Sequence, residues 1–251
     1  MGEKLKERFW EIDFLRGIAI IMMVTYHLLY SLHYFGHYPI QVYSGFWMYF
    51  ARVTAITFIF LVGVSLSISF FRVNQEKRTG LFLKYFQRGL KIFSWGLMIT
   101  LVTWFFLREG YIVFGILHLI GISIILAYPF LKIHFWNLPL GLLCILMGIY
   151  SKNVVVDFTW LLWLGFRPPH FYTLDYFPLL PWFGVVLIGI FCGNLLYPGY
   201  NRQFHLKDFS SFPPVKFLCF LGQYSLLIYL LHQPLIIIIL NLMGISKVPL
   251  F

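Results

Sequence analysis

The sequence predicts an all-α polytopic membrane protein. The expected architecture is a single bundle of about seven transmembrane helices plus a short interfacial or re-entrant segment, forming one domain over residues 1–251. Three observations lead there. Apolar residues make up 60% of the chain and charged residues only 11%, against about 25% charged in soluble domains. A water-soluble fold of this length could not hide that much apolar surface. The apolar residues also fall into runs long enough to cross about 30 Å of hydrocarbon. Finally, the basic residues and many Trp and Tyr residues sit at the ends of those runs, as interfacial anchors do.

The runs lie near 14–35, 46–71, 90–108, 111–131, 134–150, 178–196 and 217–243. The first follows a basic N-terminal stretch and is expected to remain as an anchor, because no small-residue cleavage site follows it. The fifth is the shortest and contains Pro139. An eighth run, 154–166, contains Asp157 and is only about 12 residues long, a length typical of interfacial or re-entrant segments. In the last run Pro234 cannot donate to the carbonyl of Leu230, so a bend is expected there.

Basic residues set the direction. With the N-terminus in the cytoplasm, that side holds Lys4, Lys6, Arg8, Arg16, Arg72, Lys77, Arg78, Lys84, Arg88, Lys91, Lys132, Arg202, Lys207 and Lys216. The outer side holds Arg108, Lys152, Arg167 and Lys247, and Arg52 is intramembrane. This is a positive-inside distribution. It fixes the first half of the chain more firmly than the last two helices, whose direction depends on whether 154–166 spans. The net charge of +10 does not point to nucleic acid, since the basic residues form no solvated stripe with interleaved aromatics. Cys144, Cys192 and Cys219 lie inside apolar runs and read as small core residues.

Ionisable residues inside a span are costly and often functional. At the helical rise of about 1.5 Å per residue, His27 lies about 12 Å below the outer surface, Arg52 about 9 Å and His118 about 10 Å. His232 falls in the outer third of the last run. His33 and His37 stand at the mouth of the first hairpin, and Asp175 stands above the sixth run. Distant parts of the chain thus place titratable groups at one depth, which predicts a shared polar cavity. Each residue also has a plainer role: an intramembrane His can bond neighbouring helices, and Arg52 can snorkel to the interface. No metal site is expected, because His33 and His37 straddle the helix end at Gly36 and no acid completes a set.

Lys84, Arg88 and Lys91 follow i, i+4, i+7 spacing and share a helical face at the cytoplasmic lip. They can anchor topology or dock the phosphates of a nucleotide cofactor. Asp13 and Arg16 are three residues apart and can pair across one turn.

Four stretches carry a resemblance. They are the opening E-I-D-F-L-R-G-I-A-I-I-M-M-V-T-Y-H (11–27), G-I-L-H-L-I-G (115–121), D-Y-F-P-L-L-P-W-F-G (175–184) and F-L-G-Q-Y-S-L-L-I-Y-L-L-H-Q-P (220–234). In this order they resemble the transmembrane acyltransferase superfamily, above all the bacterial and archaeal relatives of heparan-alpha-glucosaminide N-acetyltransferase. The resemblance implies acetyl transfer from cytosolic acetyl-CoA to a carbohydrate or glycolipid acceptor beyond the membrane, in a prokaryotic cell membrane. It places the catalytic His shortly after the first helix. His37 is the nearest match, with His33 and His27 as alternatives; relatives often carry an acid where this chain has Ser31. Arg52 is a candidate donor to the developing oxyanion, and a histidine suits the base. His33, His118, Asp175 and His232 are expected to line the cavity, and Lys84, Arg88 and Lys91 to hold the acetyl-CoA phosphates. The lipid bilayer is an expected partner, and a homo-oligomer is compatible with the sequence. The rival reading is a transporter or flippase for a polar-headed lipid or sugar, using the same cavity without covalent chemistry.

Overall fold

The computed structural model describes residues 8–75, 80–107 and 109–245. Lys4, Lys6, Lys77, Arg78, Arg108 and Lys247, which enter the charge argument, lie outside the described residues. The described chain is helical: α1 (Trp10–Gly36), α2 (Gly45–Gln75), α3 (Leu81–Leu107), α4 (Ile116–Phe130), α5 (Asn137–Ser151), α6 (Leu179–Leu196), α7 (Pro213–Gln223) and α8 (Ser225–Leu242). Among the described residues, six stretches are long and apolar enough to cross a membrane: α1, Gly45–Val73 of α2, α3, His134–Ser151 around α5, α6 and α8. With α4 as a shorter apolar helix, this is a polytopic integral membrane protein.

The chain folds as two compact units. The first comprises Met1–Phe58 and Leu206–Phe251, and the second Ile59–His205, so the division falls inside α2. In the first unit α1 and α7 touch at backbone distance. A β-carbon on Gly17 would overlap the carbonyl of Leu218, and one on Gly222 would overlap the carbonyl of Asp13. Small residues permit this approach, and close backbone packing takes the place of the hydrophobic drive that lipid cannot supply. α1 stops at Gly36, where His37 takes a left-handed conformation with φ 55° and the Tyr38 amide donates to the Leu32 carbonyl at 3.2 Å. Such a cap satisfies carbonyls that the ending helix leaves open.

The last apolar run differs from expectation. It is not one helix over 217–243 but two, α7 and α8, interrupted at Tyr224 (φ −96°, ψ 16°). α7 starts early, on the helix-initiating Pro213 and Pro214, and is held against α1 at Gly222. α8 continues helically through Pro234, and the interruption of the run lies before the proline, at Tyr224. His232 falls near the middle of α8.

The second unit buries Ile59, Leu66, Leu119, Ile124, Val186, Leu187 and Ile190 in its core. Glycines again allow close pairs: Gly89 of α3 meets Gly121 of α4, and Gly141 of α5 meets Gly184 of α6. α3 begins at Leu81, earlier than the apolar run near 90, so Lys84, Arg88 and Lys91 lie on one helix, as their spacing predicts. The fourth helix is shorter than expected, because residues ahead of Ile116 are extended and pair with the segment before α6. The Leu174 amide donates to the Gly110 carbonyl and the Phe177 amide to the Phe114 carbonyl, each at 2.9 Å. Pro139 sits in the first turn of α5, where a missing N–H costs no helical bond. Residues 154–166 form turns and no helix; the Val156 amide donates to the Arg167 carbonyl at 3.3 Å.

Candidate active site

Within the first unit, α1 and α8 bring polar side chains together. His27 and Ser31 are four apart and share a face of α1; His232 and Gln233 are adjacent on α8. The imidazoles of His27 and His232 meet edge to face, with centroids 4.8 Å apart and planes at 64°. His232 is 8% exposed. Its Nδ1–H donates to the Tyr229 carbonyl at 2.6 Å, which leaves the lone pair on Nε2. That Nε2 is buried and has no hydrogen-bond partner. Beside it, Gln233 Nε2 donates to Ser31 Oγ at 3.0 Å, Ser31 is fully buried, and Gln233 Oε1 is left unpaired. Buried polar groups are rarely left without partners, and those that are call for an explanation. Here a fixed imidazole and a fixed amide each present an open acceptor.

Aromatic rings continue this face toward the end of α1. Tyr30 packs on Tyr43 at 5.9 Å and His33 on Tyr43 at 5.8 Å. His33 Nδ1–H donates to the Tyr38 carbonyl at 3.0 Å, so this ring is also held with Nε2 as the basic nitrogen. His37 is exposed on the helix cap. Arg52 on α2 is exposed and makes no hydrogen bond or ion pair among the described residues. At the other end of α1 the expected pair is present, with Arg16 Nη1 donating to Asp13 Oδ1 at 2.9 Å.

His118 and Asp175 belong to the second unit, where they share one task. Both serve the N-terminus of α4, whose first amides lack helical partners. His118 Nδ1 accepts from the Gly115 amide at 3.2 Å, and Asp175 Oδ2 accepts from the Ile116 amide at 3.2 Å. With Nδ1 as acceptor, Nε2–H faces Thr100 Oγ1 at 3.4 Å, and that hydroxyl donates onward to the Ile112 carbonyl at 2.7 Å. The ring is stacked on Phe114 and edge-on to Phe93. Both nitrogens of His118 are therefore engaged within its own unit. Asp175 lies in the loop before α6, and burial pushes its carboxyl up to about 6, opposed by the Ile116 hydrogen bond. Lys84, Arg88 and Lys91 are exposed along α3, beside the buried Tyr85 and Gly89.

Sequence reasoning had no part for Gln233, Tyr229 or Thr100. Gln233 follows His232 directly, and Ser31 lies one turn beyond His27, so the polar i, i+4 step on an apolar helix was the available signal. Tyr229 contributes only a backbone carbonyl, to which side-chain identity gives no clue.

A family model described as heparan-alpha-glucosaminide N-acetyltransferase, catalytic, matches residues 8–234. The matched span runs from Arg8 through the His232–Gln233 pair. No curated protein and no solved structure matches the chain.

Proposed function

The chain belongs to the catalytic family of heparan-alpha-glucosaminide N-acetyltransferase, a family of membrane acetyltransferases, and from that premise we propose that it moves an acetyl group from cytosolic acetyl-CoA to a sugar or glycolipid acceptor at the outer face. The observation that carries this reading is the His232 imidazole, tied at Nδ1, open at Nε2 and set against His27.

Acetyl-CoA supplies the activated thioester. The protein must hold the acceptor, take its proton and stabilise the charge that develops on the thioester oxygen. The fixed tautomer suits His232 Nε2 to proton abstraction, since the Tyr229 carbonyl holds the ring in place without competing for Nε2. His27 is close enough to receive that proton or to orient the acceptor. Gln233 Oε1, fixed through Ser31, can accept from a second hydroxyl or an amide of a sugar. His37 and His33 at the end of α1 remain candidate bases for an acceptor entering there. Arg52 is the candidate oxyanion donor, worth several kcal/mol if it aligns with the reacting oxygen (about 2.7–4 for one such donor elsewhere). Lys84, Arg88 and Lys91 are the candidate phosphate contacts. His118 is omitted from the reacting set because both its nitrogens are engaged.

The test is transfer from labelled acetyl-CoA to a panel of amino sugars and hydroxyl-bearing glycolipids by purified protein. Transfer to at least one acceptor, lost in both His27→Ala and His232→Ala, is expected. A parent protein that transfers to none of them and binds no acetyl-CoA returns the reading to a transporter or flippase.

A further inference from the structure

The opposite end of α1 holds a second constellation that acetyl transfer does not use. It lies about 25 Å along the helix from His27, counted at 1.5 Å per residue. Here a cavity of about 310 Å³ opens in the first unit, lined among others by Arg8, Trp10, Asp13, Ser210, Lys216 and Gln223. That volume is at the lower end of small-ligand sites, about 300–1,000 Å³. Two groups in it are buried without hydrogen-bond partners, the Trp10 indole Nε1–H and Asp13 Oδ2. Asp13 is 5% exposed. Its other oxygen is already taken by Arg16, and the exposed Arg8 guanidinium stands 3.7 Å from Oδ2, too far for a hydrogen bond.

These groups restrict what can fill the cavity. A simple anion would find Arg8, Lys216 and the indole N–H but would face the open carboxylate oxygen of Asp13. A simple cation would find Asp13 but would face Arg8 and Lys216. A ligand carrying both charges fits both sets. The basic side chains and the indole N–H suit a phosphate, and the buried Asp13 oxygen suits an ammonium that still has N–H to donate. A trimethylated ammonium has none, and a headgroup with an added carboxylate would set it against Asp13. The position, at an end of a membrane helix among Trp and basic residues, is where lipid headgroups lie.

We propose that this cavity binds the phosphoethanolamine headgroup of a membrane phospholipid, with phosphate on Arg8, Lys216 and Trp10 Nε1 and ammonium on Asp13 Oδ2. The site is independent of the acyl-transfer chemistry. It tethers the start of α1 and, through the α1–α7 contact at Gly17 and Gly222, secures the packing of the unit that carries the histidine pair.

Native mass spectrometry of the full chain, released from nanodiscs of equal parts phosphatidylethanolamine, phosphatidylcholine and phosphatidylglycerol, tests it. Retention of phosphatidylethanolamine over both others is expected. Asp13→Asn should reduce that preference about ten- to a hundredfold, the range for loss of a charged hydrogen bond. Trp10→Phe, which keeps the ring and the fold, should weaken retention without changing the order of lipids. Equal retention of the three lipids, an unchanged preference in Asp13→Asn, or unweakened retention in Trp10→Phe overturns the proposal. So does displacement of the lipid by acetyl-CoA, which would make the cavity a nucleotide site. Soluble O-phosphoethanolamine binding as tightly as the lipid would overturn the assignment to a membrane headgroup.

Discussion

His118 and His232 are both buried histidines in apolar helices, yet their surroundings use them in opposite ways. His118 accepts from the Gly115 amide, faces Thr100 with its other nitrogen, and is packed by two phenylalanine rings. It completes the first turn of α4. His232 spends one nitrogen on its own helix and keeps the other buried and open, beside a second histidine. Helical depth alone put the two in one class. Bonding separates them: an intramembrane imidazole whose capacity is consumed holds structure, and one with capacity left over is positioned for a ligand.

The largest effect expected from this contrast is on rate. His232→Ala should reduce acetyl transfer by about 10²–10⁴-fold, the range for a lost general base, and His27→Ala should fall in the same range. The elution profile and thermal midpoint of both should stay close to the parent. A His232→Ala protein that keeps near-parental turnover removes the contrast at its source.

His118→Ala should do the reverse. It strips the Gly115 amide of its partner, and an unsatisfied buried group costs about 1–3 kcal/mol. The expected result is a lower unfolding midpoint in detergent with turnover per folded molecule unchanged. Thr100→Val should destabilise in the same direction, since it loses both the 3.4 Å contact with His118 Nε2 and the 2.7 Å donation to the Ile112 carbonyl. A His118→Ala protein with parental stability and lost turnover would move His118 to the reactive side of the comparison.

Asp175 sharpens the structural side through pH. Its carboxyl is raised above the ordinary carboxylate range to about 6, so the folded state holds the proton more tightly than the unfolded chain does. Its contribution to stability is complete below the unfolded pKa of about 3.9 and is lost as pH rises through about 6. The loss should amount to roughly 1–3 kcal/mol. Asp175→Asn keeps an acceptor for the Ile116 amide and removes the ionisation. It should flatten stability between about pH 4 and 7, and at neutral pH be at least as stable as the parent. A parent whose midpoint rises over that interval contradicts this sign.

How legible all this was depends on what each element rests on. The long apolar helices were plain in the sequence because lipid demands apolar residues over the full span. The shortfalls came where backbone, not hydropathy, decides. The break at Tyr224 falls at the Gly-Gln-Tyr-Ser stretch (222–225) inside a run read as one span, where Gly222 packs against the α1 backbone. The late start of α4 follows from extended pairing with 173–177, a contact between distant residues that a local window does not register. At the site, His27 and His232 were legible because ionisable residues are rare in such helices. Their pairing was not, and neither was the engagement of His118, which depends on an amide and a hydroxyl from other turns.

The smallest effect concerns α3. Lys84, Arg88 and Lys91 are exposed, and exposed charge contacts are worth about 0.2–1 kcal/mol each. If they meet the phosphates of acetyl-CoA, replacing all three by Gln should raise its dissociation constant by no more than about a hundredfold at low salt. The difference should shrink as salt is raised through 0.15 M, where screening sets in over about 8 Å. The maximal rate at saturating donor should not change, because these residues would act on affinity alone. On this reading the two sets of residues separate cleanly: variants of the α1–α8 histidines alter turnover, and variants of the α3 cations alter donor affinity. Unchanged affinity at low salt would leave the α3 residues as topology anchors, and the chemistry assigned to His27 and His232 would stand without them.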